Sequence, residues 1–312
     1  MNERAATYRF GDGISVGIGS LPHRDALAAA AFAMAEFDVA TVPSLPQLSP
    51  QEMMVAQASE RLDGDGFTGL RSFLDLAARV RHDGTPVKWQ FVGPVTLGVD
   101  LINGGLPSSE AFAQATATVR SRLVEVSSLV TAALPSSPQL VLLDEPWFAD
   151  LMSPGFPIPA DEAVDLLSSA MAALPPSTVV GVHCCAPCDV AMLLASGPNV
   201  VSLTVTPELV EWAGYISRFL DSGGTIAWGV VPTGGPLPAT SDRHWRALSD
   251  LWCALVQRGC DPVLLRQQSL VSPQCGLSGH SVGVARRIAR LTSEVGRRVK
   301  DQSAATRLSL GA

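Results

Sequence analysis

Three residues in this 312-residue chain have the types and spacing to hold a metal ion: His183, Cys185 and Cys275. In Gly181-Val182-His183-Cys184-Cys185 the first three residues extend a strand, so His183 and Cys185, two apart, point to the same face. One imidazole and one thiolate can then reach a common ion. Cys275 comes much later, and a closed barrel brings its loop over the same mouth. Imidazole plus two thiolates is a borderline-soft set suited to Zn²⁺, with a fourth position left for water, substrate or one more side chain. An open position makes such a site catalytic rather than structural.

Plainer readings of the same residues exist. A histidine and a cysteine at a strand end also serve as packing residues, and free cysteine is often simply buried. Cys185-Ala186-Pro187-Cys188 has the spacing of a redox Cys-x-x-Cys, without the early position and surrounding pattern of a thioredoxin-like domain. Cys188 is an alternative ligand. Cys253 and Cys260, in or near a helix beside Trp252 and Leu255, read as core or surface residues without a role.

The elements that must carry these groups are short apolar runs alternating with longer segments of helical period, the pattern of repeated βα units. The strand candidates are Ile14 to Ile18, Val39 to Val42, Val87 to Val92, Leu140 to Leu143, Val179 to Val182, Val200 to Leu203, Thr225 to Val230 and Val263 to Leu265. Helices are predicted near Ala26–Glu36, Leu70–Arg81, Ser108–Ala133, Asp161–Ala173, Asp189–Ala195, Pro207–Asp221, Asp242–Arg258 and Leu277–Arg297. Unusual residues cluster at the strand ends: Gly17 to His23, Gly93-Pro94-Val95-Thr96, Asp144-Glu145-Pro146, His183 to Cys185, and Ser272 to Leu277. Barrel enzymes place catalytic groups there, and an open doubly wound sheet would not spread them over so many consecutive strands. The expected organisation is an N-terminal extension over 1–12, one α/β barrel over 13–299, and a polar tail over 300–312 that frays.

Composition narrows the partners. Hydrophobic residues make up 47% and charged residues 16%, as suits a sheet covered on both faces. Twenty-two basic against 29 acidic residues give a net charge of −7, which argues against nucleic acid as a partner. The apolar stretch Ala26 to Ala35 is far shorter than the roughly 20 residues a membrane span needs, so neither membrane anchor nor signal peptide is expected. Six cysteines, three of them at 184, 185 and 188, do not resemble a secreted disulfide framework, and a reducing cytoplasm is the expected location.

The combination resembles the C-terminal catalytic barrel of cobalamin-independent methionine synthase, within a superfamily that includes corrinoid-linked methyltransferases and uroporphyrinogen decarboxylase. The matching pieces, in the family's order, are Ile18-Gly19-Ser20-Leu21-Pro22, Gly93-Pro94-Val95-Thr96, Leu143-Asp144-Glu145-Pro146, His183 with Cys185, and Pro273-Gln274-Cys275-Gly276-Leu277. The resemblance implies a single (β/α)8 TIM barrel with zinc on His183, Cys185 and Cys275. It further implies that Ile18, Gly19 and Ser20 help hold a small thiol acceptor, homocysteine or an analogue, and that Asp144 contacts its ammonium group. The methyl donor it implies is a folate or a corrinoid carrier.

Several positions depart from the family. Its fourth zinc ligand is a glutamate ending the sixth strand, where Val200 to Thr204 offers Thr204; Glu208, Cys188 or water are the substitutes. Pro43 to Pro50 stands where methionine synthases carry an acidic segment, and it contains no acid. Gly229 to Gly234 lacks the family's Asp and His for proton transfer, which leaves His23 and His280 as candidates. Two other functions fit the superfamily: a metal-independent decarboxylase holding substrate carboxylates with arginines, and a degenerate zinc-binding barrel without catalysis.

Overall fold

The computed structural model describes residues 8–310. Eight parallel strands form the ring: β1 (Ile14–Ser15), β2 (Ala40–Thr41), β3 (Val87–Val92), β4 (Gln139–Asp144), β5 (Val179–Cys184), β6 (Val200–Thr204), β7 (Thr225–Val231) and β8 (Ser269–Pro273). They pair in the order β1-β8-β7-β6-β5-β4-β3-β2. Parallel bridges Val16–Val39 and Ser20–Ser44 carry the first strand to the second and close the circle. Outside lie α1 (Ala26–Ala35), α2 (Thr68–Arg79), α3 (Pro94–Asn103), α4 (Ser108–Ala133), α5 (Ala160–Met171), α6 (Val190–Ala195), α7 (Ala213–Asp221), α8 (Asp242–Gln257), α9 (Pro262–Gln267) and α10 (Val282–Leu310). This is the (β/α)8 barrel that the sequence predicts.

Alternation along the strands produces two cores. Leu140, Leu142, Val179, Val200, Ala227 and Leu270 point inward and meet inside the ring, joined by Phe10 from the chain ahead of β1. Val141, Leu143, Val182, Leu203 and Trp228 point outward and pack beneath the helices. Burial on both faces is why these strands read as nearly continuous apolar runs.

The eighth strand is not Val263 to Leu265. The Asp261 carboxylate accepts the backbone N–H groups of Val263 (2.6 Å) and Leu264 (3.3 Å), and Pro262 occupies the first helical position, so this apolar run begins α9. The strand follows at Ser269–Pro273 and delivers Cys275 directly. At the far end, α10 continues to Leu310 through the segment expected to fray. Buried Ser303 bonds Asp12 there through its hydroxyl, 2.7 Å. Of the expected extension 1–12, residues 1–7 lie outside the described residues. Among the described residues no helix is long and apolar enough to cross a membrane.

Between β2 and α2 the chain makes three short 3-10 turns, and the first buries Glu52 completely. Its carboxylate accepts the backbone N–H groups of Leu45 and Gly69, which shapes one wall of the barrel mouth. Burial pushes this carboxyl up to about 7 from its ordinary 4.5, against the opposing pull of the backbone donors. Between those two values the folded chain keeps a proton that the unfolded chain has released. Glu52 therefore contributes stability that is full below 4.5 and lost as pH rises through about 7. Denaturation midpoints of Glu52→Gln should lack that part of the fall, and an unchanged slope would contradict the assignment.

Candidate metal centre at the barrel mouth

Strand register places the polar groups at one level. Asp144 pairs with His183 across β4–β5, His183 with Ser202 across β5–β6, and Gly229 with Ser272 across β7–β8. All stand at or near the carboxyl ends of their strands. His183, Cys185 and Cys275 converge there, each offering one ligand atom within 4.8 Å of the others. Together with Ile18, Ser20 and Asp144 they line a cleft of about 370 Å³.

Gly19 does not line the cleft but spaces it. Its φ is +143°, and a Cβ there would lie 1.8 Å from Gln90 Nε2, so only glycine lets the β1 end approach Gln90. Ser20 accepts the backbone N–H of Leu277 at its carbonyl (2.8 Å), and Leu21 donates to Ser44 (2.9 Å). The Gln47 side chain donates to the Ser278 carbonyl. These bonds stitch the loop carrying Cys275 to the ends of β1 and β2.

His183 is buried, with its Nδ1 2.9 Å from the Ser202 hydroxyl. Its Nε2 is sealed from solvent and has no hydrogen-bond partner among the described residues. Cys185 donates its thiol proton to Cys275, and that bond, with the His183 imidazole, holds Cys275 well below the usual thiol range. The same sharing pushes Cys185 up, so the pair reaches its first thiolate at Cys275. A buried imidazole and two thiols whose ligand atoms lie within 4.8 Å of one another are a donor set that fits a borderline-soft divalent cation. Zinc is such a cation.

The candidates for a fourth ligand fall differently. Cys188 hydrogen-bonds Cys184, whose side chain is buried behind the strand, and neither joins the convergent trio. The Thr204 hydroxyl donates to the Cys185 carbonyl at 2.9 Å, bracing the ligand loop. Glu208 is exposed on the turn after β6, bonded to Thr206. His23 is buried edge-on against Phe32, and neither it nor His280 lines the cleft. Cys253 is exposed, and Cys260 is buried with its thiol donating to the Ala213 carbonyl at 3.4 Å.

Asp144 borders the cleft with Oδ1 sealed from solvent and unpartnered among the described residues. Desolvation raises its carboxyl to about 6, while His183 and then Lys88 pull the other way. Lys88 is the group that sequence reasoning missed. It is fully buried on β3, donates to the Ile18 carbonyl and to Gln90 Oε1 (2.7 Å), and is lowered to about 7 by burial against the attraction of Asp144. The signal was available: Lys88 and Gln90 interrupt a strand that a doubly covered sheet would make apolar. Glu145, also fully buried, accepts the backbone N–H groups of Val95 (2.9 Å) and Thr96 (2.7 Å) and the Thr96 hydroxyl (2.6 Å). It therefore ties the start of α3 to the β4 end and takes no place in the cleft.

Fold and site together define a (β/α)8 barrel with a His-Cys-Cys cluster at the carboxyl ends of its strands. The fold is similar to that of a B12-independent methionine synthase from Shewanella solved with selenomethionine. That likeness has 17% identity and a TM-score of 0.50 over 75% of this chain and 68% of the other. A structure from Listeria monocytogenes assigned the same enzyme name matches at 17% identity and a TM-score of 0.46, covering 72% of this chain and 69% of that one. A GH5_18 structure from Streptomyces cattleya, bound to GlcNAc, matches at 13% identity and 0.49 over 93% and 81%. At 17% identity the likeness to the Shewanella structure is one of fold alone. No protein-family model matches the chain, and no curated protein matches it.

Proposed function

We propose that this chain is a zinc-dependent methyltransferase of the methionine synthase type, moving a methyl group from a folate or corrinoid donor to a small thiol. The observation that carries the reading is the convergence of His183, Cys185 and Cys275 on one wall of an open cleft. These three residues would hold the ion, which when bound draws a nearby thiol toward its thiolate form near neutral pH. The chain's own residues do the rest. Ser202 fixes the His183 ring, Thr204 braces the carbonyl beside Cys185, and Ser20 with Asp144 lines the space where the acceptor would sit. Asp144 Oδ1, unpartnered, is the natural contact for an acceptor ammonium.

The decarboxylase reading requires arginines for substrate carboxylates, and among the described residues none lines the cleft. A degenerate zinc-binding barrel draws support from Thr204, whose hydroxyl is engaged with the chain, and among the described residues no further His, Cys, Asp or Glu joins the trio. Methyl transfer separates the two. Zinc-loaded protein given a thiol and either methylcobalamin or a methyltetrahydrofolate should yield the S-methyl product, and Cys275→Ser should yield none. Zinc-loaded protein inert with both donors would overturn the enzymatic reading and leave the degenerate one.

A further inference from the structure

We propose that the groove between α10 and the turn joining α1 to β2 is a docking site for an extended acidic segment of a partner protein. The groove measures about 660 Å³ and runs between Ala35 to Asp38 on one side and Arg286, Arg287, Arg290, Ser293 and Arg297 on the other. It shares no lining residue with the cleft at the barrel mouth. Seven of the chain's 22 basic residues lie on α10 against two acids, in a chain whose net charge is −7. At about 100° per residue, positions 286, 290, 293 and 297 fall within about 60° of one another, so three arginines form one stripe along the wall.

These arginines keep free donors. Arg286 holds the Glu36 carboxylate through Nε at 2.7 Å, and Arg290 reaches Glu294 through Nε at 3.5 Å. Arg297 has no ion pair or hydrogen bond among the described residues. Arg287 donates from Nη2 to the Pro238 carbonyl at 2.7 Å, and its Nε is buried without a partner among the described residues. A guanidinium presents its N–H groups in a planar fork that matches a carboxylate, so the stripe can take acids beyond Glu36. The spacing names the ligand. Arg286 and Arg290 are about 6 Å apart along the helix axis, close to the roughly 6.6 Å between alternate residues of an extended chain, and the whole stripe spans about 16 Å. A nucleic-acid strand would bring a phosphate about every 3.4 Å past Glu36 and Asp38, which lie in the same groove. A peptide spaces its carboxylates and can pass neutral side chains over those two acids.

The test is fluorescence anisotropy of a short labelled peptide of alternating glutamate and threonine, titrated with the full chain at low salt. The peptide should bind, and raising the salt from about 0.05 M to about 0.5 M should weaken binding about tenfold or more. The same peptide with glutamine in place of glutamate should not bind. Arg290→Gln combined with Arg297→Gln, both at exposed positions, should weaken binding about tenfold through the lost charge-assisted bonds. Arg298→Gln is the control, because Arg298 lies on the same helix but bonds Asp242 and does not line the groove; it should leave the affinity within about twofold. No binding of the glutamate peptide, equal binding of the glutamine peptide, or equal weakening in the Arg298 variant would overturn the proposal. So would an oligouridylate that binds more tightly than the peptide, which would assign the groove to nucleic acid. Concentration-dependent dimerisation lost in the double variant would also overturn it, by assigning the groove to a second copy of this chain.

Discussion

Serine at position 185 or 275 should reduce bound zinc from about one ion per chain to near none, since either change leaves two strong donors where catalytic zinc sites use three protein ligands. Cys185 and Cys275 are contributed by different strand ends, brought together only by closure of the ring. Neither alone can hold the ion with His183. Cys253→Ser is the control, because Cys253 is exposed and remote from the cleft lining, and it should leave zinc content unchanged. Elemental analysis of protein grown with ample zinc and purified without chelator reads all three. Equal loss from the Cys253 variant would mean that unfolding, not ligation, is being measured.

The second large effect is expected at Lys88. Replacing it with methionine keeps an unbranched side chain one atom shorter but leaves the Ile18 carbonyl and Gln90 Oε1 without their donor, and Asp144 without its compensating cation. Removing one partner of a buried charge arrangement commonly costs about 3–5 kcal/mol. Lys88→Met should therefore lose stability on that scale in urea unfolding at neutral pH. A paired Lys88→Met, Asp144→Asn variant should recover part of it, because the stranded carboxylate is gone. A single variant within about 1 kcal/mol of the parent would show that the buried ammonium matters little.

Much of the barrel was legible because strand and helix differ in period, and β3 to β7 fall within a residue or two of the runs that predict them. The metal cluster was legible for a narrower reason. Histidine and cysteine two apart on a strand share a face whatever the fold, and barrel closure supplies the third ligand. The eighth strand was misplaced because Val263 to Leu265 has strand composition, whereas Asp261 and Pro262 cap a helix there and local capping prevailed. The roles of Cys188 and Thr204 were open from sequence, since a thiol can bond a neighbouring thiol and a hydroxyl a nearby carbonyl at no cost in composition. Lys88 escaped notice because a lone lysine in a strand normally marks a solvated face. Only the inward direction of β3 makes it a buried cation beside Asp144.

The zinc centre is tested most directly by zinc K-edge X-ray absorption combined with metal stoichiometry on the unmodified protein. One zinc per chain with one imidazole nitrogen, two sulfurs and one light oxygen ligand is the predicted result, matching His183, Cys185, Cys275 and an open position. Metal-free protein from a zinc-replete preparation, or a third sulfur on the ion, would contradict it.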